Sequence, residues 1–424
     1  VTNGERKGIF GKIGLALAAV GPGLFLIGYN IGTGSITTMA SAGSRYGMTL
    51  FWALVLSCLF TFVLMVAYGR YTVVTGETSL RAFKNHFRFG RALAIFTLIS
   101  LAIGELTALA GIAGIISDLV REWSRYALGG EGVNQLYVVL VIMVGCYILL
   151  WNGKYSVFEK FLTILVIIMG VAFILSMILV VPQPADLLRG LVPGIPNEPK
   201  AFLIVAGMAG TTCSAMVFIM RSIVVAEKGW TRKDLRQGNI DAAVSSGMML
   251  LLSAAVMACA AGTLFRMGQP VEKAVDMVQT LEPLAGRFAI SLFVLGVLGA
   301  GISTLFPIIL VAPWMIADYR GTSRNIRSPM FRILGGLALL ICLVIPVFGG
   351  QPVWIMIASQ AFQAMILPVI TVPIMVLLNR RAVMGQDKAG WLLNLGLWAT
   401  LIFALVTTYA AFVGLFDTMK TQMV

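Results

Sequence analysis

Residues 202–222 read FLIVAGMAGTTCSAMVFIMRS, an apolar run long enough for a membrane helix but interrupted at mid-length by glycines and small polar side chains. A second run at 21–43, GPGLFLIGYNIGTGSITTMASAG, is interrupted in the same way. Inside a bilayer, backbone groups go without helical partners only where protein or a water-filled cavity encloses them. Two broken helices in corresponding halves of one chain therefore predict a substrate site at the bilayer midplane, as in secondary carriers built from inverted repeats.

The rest of the chain supports a membrane protein. Of 424 residues, 59% are hydrophobic and only 12% charged, too little polar surface to clothe a water-soluble globule. Eleven apolar stretches are long enough to cross the hydrocarbon core, at about 12–45, 48–70, 92–118, 136–152, 160–181, 200–226, 240–264, 286–317, 330–348, 353–378 and 391–415. The interrupted stretches are the first and the sixth, the positions expected for two inverted repeats of five spans. The reading is an all-α integral membrane protein with eleven transmembrane helices in a 5+5 inverted repeat. Repeat one covers about 12–181, repeat two about 200–378, and an extra helix about 391–415. No small-residue cleavage site follows the first span, so it is expected to stay in place. No polar segment is long enough for a second domain, and residues 1–424 read as one transporter domain.

The net charge of +13 is a topology signal. With a cytoplasmic N-terminus, 21 of the 31 basic residues fall on one side and nine on the other, with Arg221 inside a span. The positive-inside rule then puts the N-terminus in the cytoplasm and the C-terminus outside, in a plasma membrane such as the bacterial inner membrane. The basic residues are scattered over six loops without interleaved aromatics, so no nucleic-acid partner is expected. All five cysteines fall inside spans and none has metal-ligand spacing. His86, the only histidine, sits in a basic loop and reads as solvated. There is no phosphate-cradling loop and no set of nucleophile, base and orienting group, so neither an enzyme nor a cofactor is expected. The expected partners are a small solute or ion, a coupling proton or sodium ion, and the lipid; the chain reads as a monomer.

In the first interruption, Gly28, Gly32 and Gly34 surround Tyr29, Asn30, Thr33 and Ser35; in the second, Gly207 and Gly210 precede Thr211, Thr212, Cys213 and Ser214. Glycine takes up unwound backbone cheaply, and the hydroxyls supply ligands. Neither interruption contains an acid.

At these residues the chain resembles the Nramp family of divalent-metal transporters, whose members share the LeuT-type fold. The resemblance extends through GPG at 21–23 with AG at 42–43, VTGET at 74–78, GKYSVFEK at 153–160 and LRGLVPGIP at 188–196. It continues from Leu292 through GVLGAGIST into span eight, and through IASQAFQAMILPVITVPIMVLLNRRAVMG at 357–385. Metal-transporting members carry Asp-Pro-Gly-Asn in the first unwound region, where this chain has Gly32, Thr33, Gly34 and Ser35. They carry Met-Pro-His in the sixth span, where this chain has Ser214, Ala215 and Met216.

Divalent cations take carboxylates when hard, and imidazole, thiolate or thioether when softer. Loss of those groups favours a small inorganic anion such as bicarbonate, or a neutral polar solute, held by hydroxyls and by amides around Gly34 to Thr37 and Ser214 to Val217. The alternatives are a divalent ion, partly hydrated magnesium or manganese, and a transport-incompetent receptor or scaffold. Cys213 and Met216 are candidate ligands for a soft ion, or core packing. The resemblance implies a proton-moving role for Glu105, with a second acid replaced by Ala108, and places Gln360 near the substrate. It puts Arg221 where members carry a second histidine, either in the pathway or reaching to the interface. In sodium-driven LeuT-type carriers, a hydroxyl pair like Ser303 and Thr304 faces the first unwound region.

Overall fold

The computed structural model describes residues 32–152, 155–180 and 184–423, which are helical with connecting turns and contain no strand. The principal helices are α1 (Thr33–Tyr46), α2 (Phe51–Thr75), α3 (Ser79–His86), α4 (Gly90–Leu128), α5 (Gln135–Asn152), α6 (Tyr155–Val180), α7 (Pro199–Thr212), α8 (Ala215–Glu227), α9 (Leu235–Gly262), α10 (Ala289–Arg320), α11 (Pro329–Leu340), α12 (Pro352–Asn379) and α13 (Trp391–Met423). Among the described residues ten spans are long and apolar enough to cross a membrane, with α7 and α8 together forming one. The leading half of the first interrupted span, including Gly28, Tyr29 and Asn30, lies outside the described residues.

Span three is longer than the stretch 92–118 that hydropathy marks. Helix α4 runs 39 residues, roughly 58 Å at 1.5 Å per residue, and so overshoots a hydrocarbon core of about 30 Å. Apolarity ends near residue 118, but nothing in the backbone stops the helix until Gly129, whose φ of +76° closes it.

The interrupted sixth span is the hub. Its apolar window is 94% buried, against 22% for α5 and for α6 at the periphery. Helix α7 packs against α12, α13, α1 and α2, while α4 lies against α12 and α10, and α1 against α9. Lipid offers no hydrophobic drive for helices to associate, so such packing relies on close backbone approach. Gly210 on α7 shows how close: a Cβ there would sit 1.7 Å from the Gln360 carbonyl oxygen on α12. Gly210→Ala is therefore expected to cost about 1–3 kcal/mol through overpacking. It should lower the thermal midpoint of the purified protein, whereas Gly145→Ala, with nothing within 4 Å, should not.

Candidate functional site

Helix α7 ends at Thr212; Cys213 leaves the helical region (φ −102°, ψ 51°), Ser214 is extended (φ −67°, ψ 126°), and α8 starts at Ala215. Helix α1 likewise starts at Thr33 after an extended Gly32 (φ −99°, ψ −168°). Neither start has a side-chain cap, so the first-turn amides have no helical partner. These amides begin earlier than the sequence suggested. The Ile36 amide already bonds to Gly32 O at 3.3 Å and that of Val217 to Ser214 O at 3.1 Å, because the extended residues are Gly32 and Ser214 themselves. Among the described residues, the amides of Thr33 to Ser35 and Ala215 to Met216 thus have no helical partner.

Both starts face one cavity of ≈ 30 Å³, room for about one or two waters. Of the residues singled out from sequence, Gly32, Gly34, Ser35, Glu105, Thr211, Ser214, Thr304 and Gln360 line it, together with Ala108, Ile112, Ile308, Met356 and Gln363. Thr33, Thr212, Cys213, Met216, Ser303 and Arg221 are not in its lining. Cys213 and Met216 are fully buried core residues. Thr212 donates back to Met208 O at 2.6 Å, and its carbonyl, freed by the interruption, accepts from Thr61 Oγ1 at 2.9 Å. Thr33 Oγ1 is buried and has no hydrogen-bond partner among the described residues.

Gly32 meets span eight closely: a Cβ there would lie 2.4 Å from Thr304 Oγ1. Ser303 and Thr304 both donate to Ala300 O, at 2.9 and 2.7 Å. Ser35 Oγ lies 3.1 Å from Ser253 Oγ on α9. Met356 turns its methyl toward Gly34 and its sulfur toward Gly111.

The acid is closer to the interruption than the sequence indicated. Glu105, 3% exposed, accepts a 2.5 Å hydrogen bond from Gln363 Nε2, and Gln363 Oε1 accepts one from Ser214 Oγ at 3.1 Å. Gln363 thus joins span three to the interruption in span six, a role the sequence reading missed. The signal was its place three residues after Gln360, which puts both amides on one helical face. Among the described residues no three His, Cys, Asp or Glu side chains converge on a metal-sized space.

Arg221 does not reach to the interface; it lines a small separate cavity with Gly69, Arg70 and Trp230. Only 1% exposed, it pairs with the equally buried Asp241 of α9, donates to Gly238 O at 3.1 Å and lies 5.6 Å from the Trp230 ring centroid. Asp241, which the sequence analysis did not single out, supplies the counter-charge that spares the guanidinium a route to the interface. His86 is also less solvated than expected, with Nε2 3.0 Å from Glu77 Oε2.

Both ends of the bundle are tied. At one, Glu272 pairs with Arg45, accepts from Trp354 Nε1 at 3.1 Å and lies 3.9 Å from Lys200 Nζ. Partial burial pushes its carboxyl up, but hydrogen bonds from Trp354 and Arg45 and the nearby cations outweigh that and hold it below its usual value. At the other end, Thr78 Oγ1 donates to both Asp318 oxygens at 2.9 Å, and Arg324 bridges Asp318 at 3.2 Å and Glu227 at 2.6 Å.

Removing one member of a buried ion pair costs about 3–5 kcal/mol, because the other charge is stranded. Arg221→Met should therefore lower the thermal midpoint strongly, and adding Asp241→Leu should restore most of the loss.

A family model described as "Natural resistance-associated macrophage protein-like", Nramp, matches residues 23–414. The divalent metal cation transporter MntH of Xanthomonas campestris pv. campestris is 26% identical over 396 residues, 89% of this chain and 86% of that protein. The protein of the same name from Klebsiella pneumoniae subsp. pneumoniae is 25% identical over 393 residues, 90% and 91% of the two chains. The crystal structure of a mutant of the Eremococcus coleocola manganese transporter shares the fold, with a TM-score of 0.73 at 17% identity over 96% of this chain and 87% of that one. The chain belongs to the Nramp family and is an integral membrane transporter of LeuT-type fold.

Proposed function

We propose that this protein is a secondary transporter for a small, hard divalent cation, magnesium or manganese, taken up partly hydrated. The observation that carries this reading is the place of Glu105 in the cavity formed by the two helix starts. The sequence showed uncharged interruptions and favoured a small anion, but an oxyanion in this cavity would face that carboxylate. One carboxylate with hydroxyl, carboxamide and backbone oxygens is a hard donor set. Magnesium, which dehydrates reluctantly, commonly binds through one or two carboxylates and keeps several waters. The similarity to proteins named divalent metal cation transporters points the same way.

Glu105 is the group through which proton coupling would run. Thr304, packed on Gly32 with its proton turned to Ala300, leaves lone pairs for a sodium ion instead. By the distribution of basic residues, the Asp318 end is cytoplasmic and the Arg45 end external.

Isotopic or fluorometric flux in proteoliposomes, with pH and sodium varied separately, tests the reading. Saturable magnesium or manganese uptake is expected, reduced at least tenfold by Glu105→Gln. Absence of saturable uptake of either ion overturns the reading, and failure to transport any of a broad solute panel favours a receptor or scaffold. If removing sodium leaves uptake unchanged, sodium coupling is wrong.

A further inference from the structure

Gln363 hydrogen-bonds both to the acid and to the interruption in span six. With Glu105 ionised, as a cation ligand has to be, it does so in one sense only. The Glu105 oxygen at 2.5 Å is an acceptor, so the amide must turn its N–H groups toward it, since a carbonyl oxygen placed there would meet another acceptor. That orientation commits the other end of the amide: its oxygen faces Ser214 Oγ at 3.1 Å and needs a proton from it. A serine hydroxyl has one proton and two lone pairs. With the proton held by Gln363, Ser214 has only lone pairs to offer the cavity.

We propose that Gln363 is a positioning residue that makes this cavity a cation site, by fixing the direction of the Ser214 hydroxyl and holding the Glu105 carboxylate in place. The inference rests on the cation reading given above and deepens it.

Two further observations fit. Gln363, Ser214 and Glu105 are 2%, 3% and 3% exposed, so bulk water does not compete to reorient the hydroxyl. Thr304, another hydroxyl-bearing wall, also turns its proton away, toward Ala300 O at 2.7 Å. At these two positions the cavity is therefore lined by oxygens whose protons point outward, a lining that suits a positive charge and repels a negative one. Without Gln363, the Ser214 proton would be free to turn inward and present a donor where a cation must sit. A methionine at position 363 keeps the length of the side chain and removes both hydrogen bonds.

The test is manganese and magnesium uptake in proteoliposomes by the full chain, the variants Gln363→Met and Ser214→Ala, and their combination. Gln363→Met is expected to raise KM at least tenfold while kcat stays within twofold. Ser214→Ala is expected to raise KM as well. Because Gln363 acts in part through Ser214, the combined change should fall well short of the product of the two single changes. An unchanged KM in Gln363→Met, or single effects that multiply fully in the double variant, overturns the inference. If Gln363→Met lowers the thermal midpoint, Ser214→Ala tests the same polarity from the other end, and an unchanged KM there overturns it too. No saturable uptake by the unmodified protein overturns the cation reading and the inference together. Normal uptake with an unmoved Gln363→Met overturns the inference alone.

Discussion

A helix interrupted in the middle of a bilayer frees backbone groups that lipid cannot satisfy, and the rest of this structure is arranged around that constraint. At Cys213 and Ser214 it is met within the protein: the Thr212 carbonyl is taken by Thr61 of α2, the Cys213 amide returns to Ala209, and Ser214 reaches Gln363 of α12. An interruption needing partners on several sides has to be central, which is why α7 and α8 are the most enclosed of the described spans. The peripheral helices α5 and α6, with no such requirement, face outward with large apolar side chains such as Ile148 and Ile167.

The same constraint explains what was legible in the sequence. Gly210-Thr-Thr-Cys-Ser marked the interruption of span six to within a residue or two, because a matching cluster in span one set it apart from the close helix packing that such residues also serve. Gly32 to Ser35 likewise marked the start of α1. The span limits were less legible where a helix outlasts the bilayer, as α4 does. Hydropathy records the lipid, whereas helix ends answer to signals such as Gly129.

Gln363 and Asp241 were not legible because their importance lies in their partners. Nothing in IASQAFQAMI says that the second glutamine lies against span three, nor does the start of α9 say that its aspartate is buried against Arg221. In low-dielectric surroundings each polar side chain has to be matched by another, and that matching is a property of packing between helices remote in sequence. Span six thus carries two buried polar arrangements with different charge balance. The Arg221 and Asp241 pair is neutral as a whole and is tied further by Gly238 and Trp230. Glu105 is met by the dipole of the Gln363 amide and lines the cavity at the two helix starts, whereas Arg221 lines a separate, smaller one.

That difference bears on how a carrier with so few charged ligands can work. Affinity for a hard divalent ion rises with the number of charged ligands and the rigidity of the site. A full set of carboxylates would hold the ion well, but a carrier must also release it. On the cation reading proposed above, one carboxylate would answer one of the two positive charges. The remainder would fall to hydroxyl and amide dipoles and to water kept by the ion. The starts of α1 and α8 oppose this with partial positive charge, so the backbone alone gives little net attraction. On that reading the sign of the site rests on side-chain oxygens and on which way their protons point.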